Sequence, residues 1–379
     1  MSDIFLDLFI NRLRDLKLPQ KEIEIEAETR ELPEPSEEEQ AAVDGGGGQA
    51  RLEGGLSIRV ARGILIGEGL LEKDLDLEID EWDSISSLES LRSFLELRLA
   101  NSSNVLTFVD GSSYTQLSTW IMRIIKIASG KAKSSEIVSL PNTLNALSEL
   151  LKLSKKETAF VAKEPKFRIL KEVMIAERLS EVDNKDYIKA LRDGPLDKKQ
   201  LYETSLKYRN ALGPLLSPSL LDSHLLKTEG LSKGIVLGLP KRLRSKLYPS
   251  EFKKVVRMAV EVYKLTTGRD VDVPKGLEEI CYVRAPTLWW VKYKRWKFTI
   301  EEFSGPPLCL APYREVRNDV PKTLAAFLSQ SGSSYHAWLS LAHSLSTMKG
   351  EHFMTYLNIL KEQKGLGMST AREELLYLS

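Results

Sequence analysis

Cysteine occurs only twice in the 379 residues, at Cys281 and Cys309. Two are too few for a zinc site of paired ligands or for a disulfide framework, and they fit a reducing, intracellular compartment. No stretch of roughly 18 apolar residues is present, so no membrane-spanning helix is expected. The opening residues, MSDIFLDLFINRLRDLKL, lack the basic start, uninterrupted apolar core and small-residue cleavage site of a secretory signal. The expectation is a soluble cytoplasmic protein. Charge of one sign is not in excess: 54 Lys and Arg face 53 Asp and Glu, a net of +1. Global charge therefore advertises no nucleic-acid partner, although a basic channel can lie inside a neutral total. A phosphate-binding loop with its glycines, Lys and Ser/Thr in the required spacing is also missing, so ATP hydrolysis by that device would have to come from a partner.

What is present divides into three stretches. Residues 1–39 hold an amphipathic helix over 3–17, with Ile4, Phe5, Leu8, Phe9, Leu13 and Leu16 on one stripe, then a polar, acidic connector with Pro33 and Pro35. Residues 40–350 alternate strands and helices without strict βαβ order, which predicts a mixed α/β sheet. Residues 351–379 supply a last helix and a tail. Within the middle stretch, strands are expected up to Asp44, over 56–66, up to Asp110, over 158–163, over 234–239 and along 288–298. Helices are expected over 86–99, with Leu88, Leu91, Leu95 and Leu99 as the buried stripe, and over 115–128, 140–153, 165–193, 337–347 and 352–362. Residues 72–83 read as an acidic patch.

Two aliphatic strands run straight into Asp-Gly: Ala41-Ala42-Val43-Asp44-Gly45 and Val105-Leu106-Thr107-Phe108-Val109-Asp110-Gly111. Asp-Gly alone is a common turn signal. Repeated at the mouth of a buried sheet, it sets two carboxylates side by side, where each raises the other's pKa unless a cation lies between them. Small residues after each Asp leave room for a phosphate backbone. Magnesium and manganese take octahedral oxygen shells, so further oxygen ligands are needed. Glu89 and Glu96, two turns apart on one face of the preceding helix, both qualify, and Glu89 is the first choice; the bland alternative for either is a solvated face.

Two of the four histidines lie in Ser333-Ser334-Tyr335-His336-Ala337-Trp338-Leu339-Ser340-Leu341-Ala342-His343. His343 could ligate a metal or carry a proton, and Tyr335 could touch a scissile phosphate. A packed core histidine is the bland alternative. Basic residues complete the pattern: Lys163 at a strand end, Lys241 and Arg242 after another strand, and Lys292 interleaved with Trp290 and its aromatic neighbours. Phosphate contacts beside aromatic platforms suit single-stranded nucleic acid. Lysines guarding an edge strand are the competing explanation.

The order of Asp44-Gly45-Gly46, a helix glutamate, Val109-Asp110-Gly111-Ser112, then Tyr335 and Ala342-His343 resembles the NurA nuclease family. The resemblance spans about residues 40 to 350 and implies an RNase H-like mixed sheet similar to the nuclease domain of Argonaute proteins. It also implies a manganese-using homodimer, with magnesium possible. Such an enzyme would degrade single-stranded DNA from 5′ ends, cut DNA internally, and resect double-strand breaks with the hexameric ATPase HerA. The four-glycine run departs from the family, where a serine often follows the Asp-Gly. The site it implies is Asp44, Glu89 or Glu96, Asp110, Tyr335 and His343; the basic and aromatic residues read above, Lys163, Lys241, Arg242, Trp290 and Lys292, would be its DNA contacts. Two rival readings are a non-catalytic DNA-binding adaptor for a translocating motor, and a metal-dependent phosphatase of small substrates.

Overall fold

The computed structural model describes residues 25–368 apart from 164, 184, 209–211, 218 and 333–334. The amphipathic helix expected over 3–17 and the tail beyond 368 lie outside the described residues. The described strands are β1 (Thr29–Arg30), β2 (Gln40–Arg51), β3 (Ser57–Gly67), β4 (Leu70–Asp80), β5 (Leu106–Asp110), β6 (Thr158–Lys163), β7 (Gly230–Ser232), β8 (Gly234–Leu237), β9 (Thr287–Tyr293), β10 (Trp296–Glu302) and β11 (Arg314–Arg317). The helices are α1 (Ile85–Ser102), α2 (Ser113–Ala128), α3 (Ser134–Ile137), α4 (Leu140–Leu153), α5 (Ile169–Val182), α6 (Tyr187–Asp193), α7 (Lys198–Lys207), α8 (Lys241–Arg244), α9 (Pro249–Thr267), α10 (Leu324–Ser329), α11 (Ala337–Ser346) and α12 (Gly350–Lys364).

The strands form one mixed sheet in the order β1-β7-β9-β10-β6-β5-β2-β3-β4, with β8 on the edge of β9 beyond β7 and β11 paired to β8. β5 runs parallel to both β2 and β6; the remaining pairings are antiparallel. Side chains alternate between faces along each strand. Ala41, Val43, Val109 and Phe160 therefore face a layer of α1, α2, α4 and α9. Ala42, Phe108, Ala159 and Val161 face α10 and α11. α12 covers the far end of that second face through Phe353 and Leu357 on Ala50, Ile58 and Val60. Among the described residues no helix is long and apolar enough to cross a membrane.

Several elements differ from the expectation. β2 does not stop at Asp44 but continues through all four glycines to Arg51, because helices press on the backbone from both sides. The acidic stretch from Glu72 is β4, with leucines and acids in an inverted alternation: Leu71, Leu75 and Leu77 are exposed. Two of its acids serve the buried Arg59, through Glu78 at 3.0 Å and Asp80. α9 was not anticipated; Pro249 opens it and Gly268, at φ 70°, closes it. The aromatic run is a hairpin of two interior strands turning at Lys294, not an edge. The two cysteines, set aside as a framework, form one bridge, Cys281–Cys309. Their separation of 28 positions carries no recognisable spacing signal. Within the expected connector, Thr29–Arg30 pairs with β7.

His336 begins α11, its Nδ1 accepting the Leu339 amide at 3.3 Å while Nε2 meets Gln40 Oε1 at 3.0 Å. Burial pushes its pKa down from 6.5 to about 3. The folded state thus keeps the ring neutral where the unfolded chain protonates it. The unfolded state binds more protons between pH 6.5 and 3, so this stabilisation is complete above that window and lost as pH falls through it. Denaturant titrations should show wild type losing about 1.4 kcal/mol per pH unit below pH 6.5 relative to His336→Asn. Parallel curves would show that the ring does not titrate this way.

Candidate metal centre

Period-two alternation places Asp44 with Ala42, Asp110 with Phe108, and Lys163 with Val161 on the same face of three adjacent strands. The parallel register of β2 and β5 pairs Val43 with Val109, so Asp44 and Asp110 follow side by side where that pairing ends. α11 lies over them. His343 Nδ1 is 2.8 Å from Asp44 Oδ2, and Ser346 donates its hydroxyl to the same oxygen at 3.0 Å. Asp44 Oδ1 accepts the Gly45 amide at 2.7 Å. Asp44, Asp110 and His343 each offer a ligand atom within 4.8 Å of the others.

Glu96 approaches from the opposite layer. Where a Cβ on Gly45 would stand, Glu96 Oε1 lies 2.5 Å away. Glycine at 45 is thus an opening in the sheet through which α1 presents a carboxylate. Burial pushes the Glu96 pKa up to about 8, Arg92 opposes the rise, and Asp44 and Asp110 add to it. Burial and then Asp44 raise Asp110 to about 6, with His343 and Arg92 opposing. Carboxylates kept this reluctant to ionise, with oxygen donors and one imidazole converging, fit a hard divalent cation of the manganese or magnesium kind.

Glu89 is not part of this group. Its side chain is 61% exposed and turns toward Arg123 at 3.9 Å, whereas that of Glu96 is 5% exposed. Seven residues are 700° of helix, 20° short of two full turns. Of the two, Glu96 is the one that lies beneath Gly45. Tyr335 is buried on the Asp110 side, its hydroxyl without a hydrogen-bond partner among the described residues and its pKa held well above the usual range by burial and by Asp110. A cleft of about 480 Å³ opens there, lined by Asp110, Ala162, Lys163, Tyr335, Leu339 and His343.

The other basic and aromatic candidates lie elsewhere. Trp290 has 0% exposure and fills the core against α5, so it offers no face to a base. Lys292 bonds the Lys227 carbonyl. Lys241 and Arg242 sit on the short α8, where Lys241 is 4.0 Å from Asp193, and neither lines the cleft. Residues not anticipated hold α11 in place. Arg62 donates Nε to the Ser346 carbonyl at 2.7 Å and a terminal nitrogen to Thr347, satisfying the helix's last carbonyls. The only signal for Arg62 was a charge inside an apolar strand.

No family model matches the chain, and no curated protein matches it. Among solved structures, it is similar over 94% of its length to NurA crystallised with manganese, covering 97% of that chain, at 11% identity and a TM-score of 0.49. A second NurA structure gives 95% and 96% coverage, 12% identity and a TM-score of 0.49. NurA bound to dAMP and manganese gives 88% and 90% coverage, 15% identity and a TM-score of 0.45.

Proposed function

We propose that the chain is a metal-dependent DNA nuclease of the NurA type. The observation that carries this reading is the convergence of Asp44, Asp110 and His343 within 4.8 Å, with Glu96 packed against Gly45 from the opposite layer. A bound divalent cation supplies an acidified water and neutralises charge on phosphate oxygens. Asp44, Asp110 and Glu96 would hold the metal. His343, with 69% of its side chain exposed and Nδ1 fixed on Asp44, can add a ligand or carry a proton. Lys163 and Tyr335 border the cleft where the strand would enter. The succession β4-β3-β2-β5-β6, antiparallel then parallel with acids on its central pair, supports an RNase H-like reading. The finer assignment is what the resemblance to the NurA family implies: 5′–3′ degradation of single-stranded DNA, internal cutting, a homodimer, and work with a HerA-type ATPase in end resection.

Digestion of a labelled single-stranded oligonucleotide tests the proposal. Cleavage is expected with manganese and is expected to vanish in EDTA or in Asp110→Ala. Bound but uncut DNA in every lane, with no rescue by a partner ATPase, would leave the adaptor reading instead.

A further inference from the structure

Asp44 and Asp110 meet at the centre with Glu96 against Gly45 behind them, and a phosphodiester delivered there is itself an anion. The chain's own cations therefore govern how it is held. Lys163 stands on the cleft side, its Nζ 4.6 Å over the Trp296 ring. Arg92 stands on the other side, one turn before Glu96 on α1.

Arg92 is fixed at its stem and open at its head. Its Cγ lies 3.0 Å from where a Cβ on Gly45 would be, so the stem packs against β2. Its Nε is buried without a hydrogen bond and meets Glu96 Oε1 only at 3.3 Å. The side chain is 40% exposed, and no described residue takes a hydrogen bond from its terminal nitrogens. An arginine serving only Glu96 would present two parallel N–H groups in hydrogen bonds to that carboxylate; among the described residues Arg92 makes no such hydrogen bond, and its Nε approaches Glu96 at 3.3 Å. Glu96 first, then Asp44, Glu89 and Asp110, raise its pKa, which puts the guanidinium inside the field of the cluster.

We propose that Arg92 is a further catalytic residue, its terminal guanidinium nitrogens binding the non-bridging oxygens of the phosphate held at the centre, opposite Lys163. The inference rests on the nuclease reading above. Planar, two-point recognition of phosphate is what arginine offers and lysine does not.

The test uses the full chain as wild type, Arg92→Gln and Arg92→Lys. Manganese binding is followed without DNA by the EPR signal of the free ion, with oligonucleotide cleavage and melting temperature beside it. Arg92→Gln should lower kcat/KM about 100-fold, the scale of removing one donor to a developing charge. Arg92→Lys keeps the charge beside Glu96 but not the paired donors. It should melt as wild type does, bind manganese within about two-fold, and still lose roughly ten-fold in kcat/KM. If wild type cuts and Arg92→Lys cuts as fast, the role of Arg92 falls while the nuclease stands. A loss in Arg92→Lys matched by equal loss of manganese binding would reduce Arg92 to a support for Glu96. A wild type that neither binds manganese nor cuts removes both readings together.

Discussion

Glu96→Gln is expected to lower manganese-dependent cleavage on the order of 1000-fold, which is about 4 kcal/mol of lost transition-state stabilisation. Glu89→Gln, by contrast, should stay within about two-fold of wild type, as an exposed carboxylate 3.9 Å from Arg123 contributes little. The contrast follows from burial: the two acids share a helix, but only Glu96 lies beneath Gly45. Glutamine is the informative replacement. With its pKa raised to about 8, Glu96 is already packed so that a neutral side chain of the same shape fits. The fold should survive and only the ligand oxygen's charge be lost. Initial rates measured beside manganese titrations decide the matter, and a damaging Glu89→Gln with an active Glu96→Gln would reverse the assignment.

Gly46→Ala should damage the fold and the site together. A Cβ there would fall on the Ser346 carbonyl oxygen, 2.9 Å from its carbon and 3.1 Å from the Met348 amide nitrogen. These are backbone atoms at the end of α11, which Arg62 also pins, so they cannot rotate aside. Overpacking of this kind costs about 3 kcal/mol. Relief requires α11 to lift, carrying His343 and Ser346 off Asp44, so manganese affinity should fall as well. Urea midpoints and manganese titration check both effects. Gly332→Ala is the control: nothing lies within 4 Å of its Cβ position, and stability should be unchanged. An unshifted midpoint for Gly46→Ala would mean that α11 does not sit tightly on β2.

The sequence was most informative where local pattern and tertiary role coincide. α4 appeared over the residues expected, and α1 buried the expected leucines, because a stripe facing one layer is a local signal. Both Asp-Gly steps were legible for the same reason, since each carboxylate directly follows the apolar run that buries its strand. The glycine run was visible, but its meaning was not. Gly45 and Gly47 admit α1, while Gly46 and Gly48 admit α11 and α12, and nothing near them in sequence names those helices. Trp290 and Lys292 misled because alternating aromatic and basic residues look alike whether the aromatics face a base or a core. Arg92 lay in view four residues before Glu96, the spacing of an ordinary surface ion pair.

The contact between His343 and Asp44 joins residues 299 positions apart. Domains emerge from the ribosome N-terminus first. Both aspartates, Glu96 and Arg92 are therefore synthesised long before the helix that completes their surroundings. Until residues 337–346 have emerged and docked, Asp44 has neither its imidazole nor its serine, and the face above the carboxylates stays uncovered. The geometry thus times the assembly: the cluster is completed late in synthesis, and a chain broken off before α11 keeps the acids but not the finished centre.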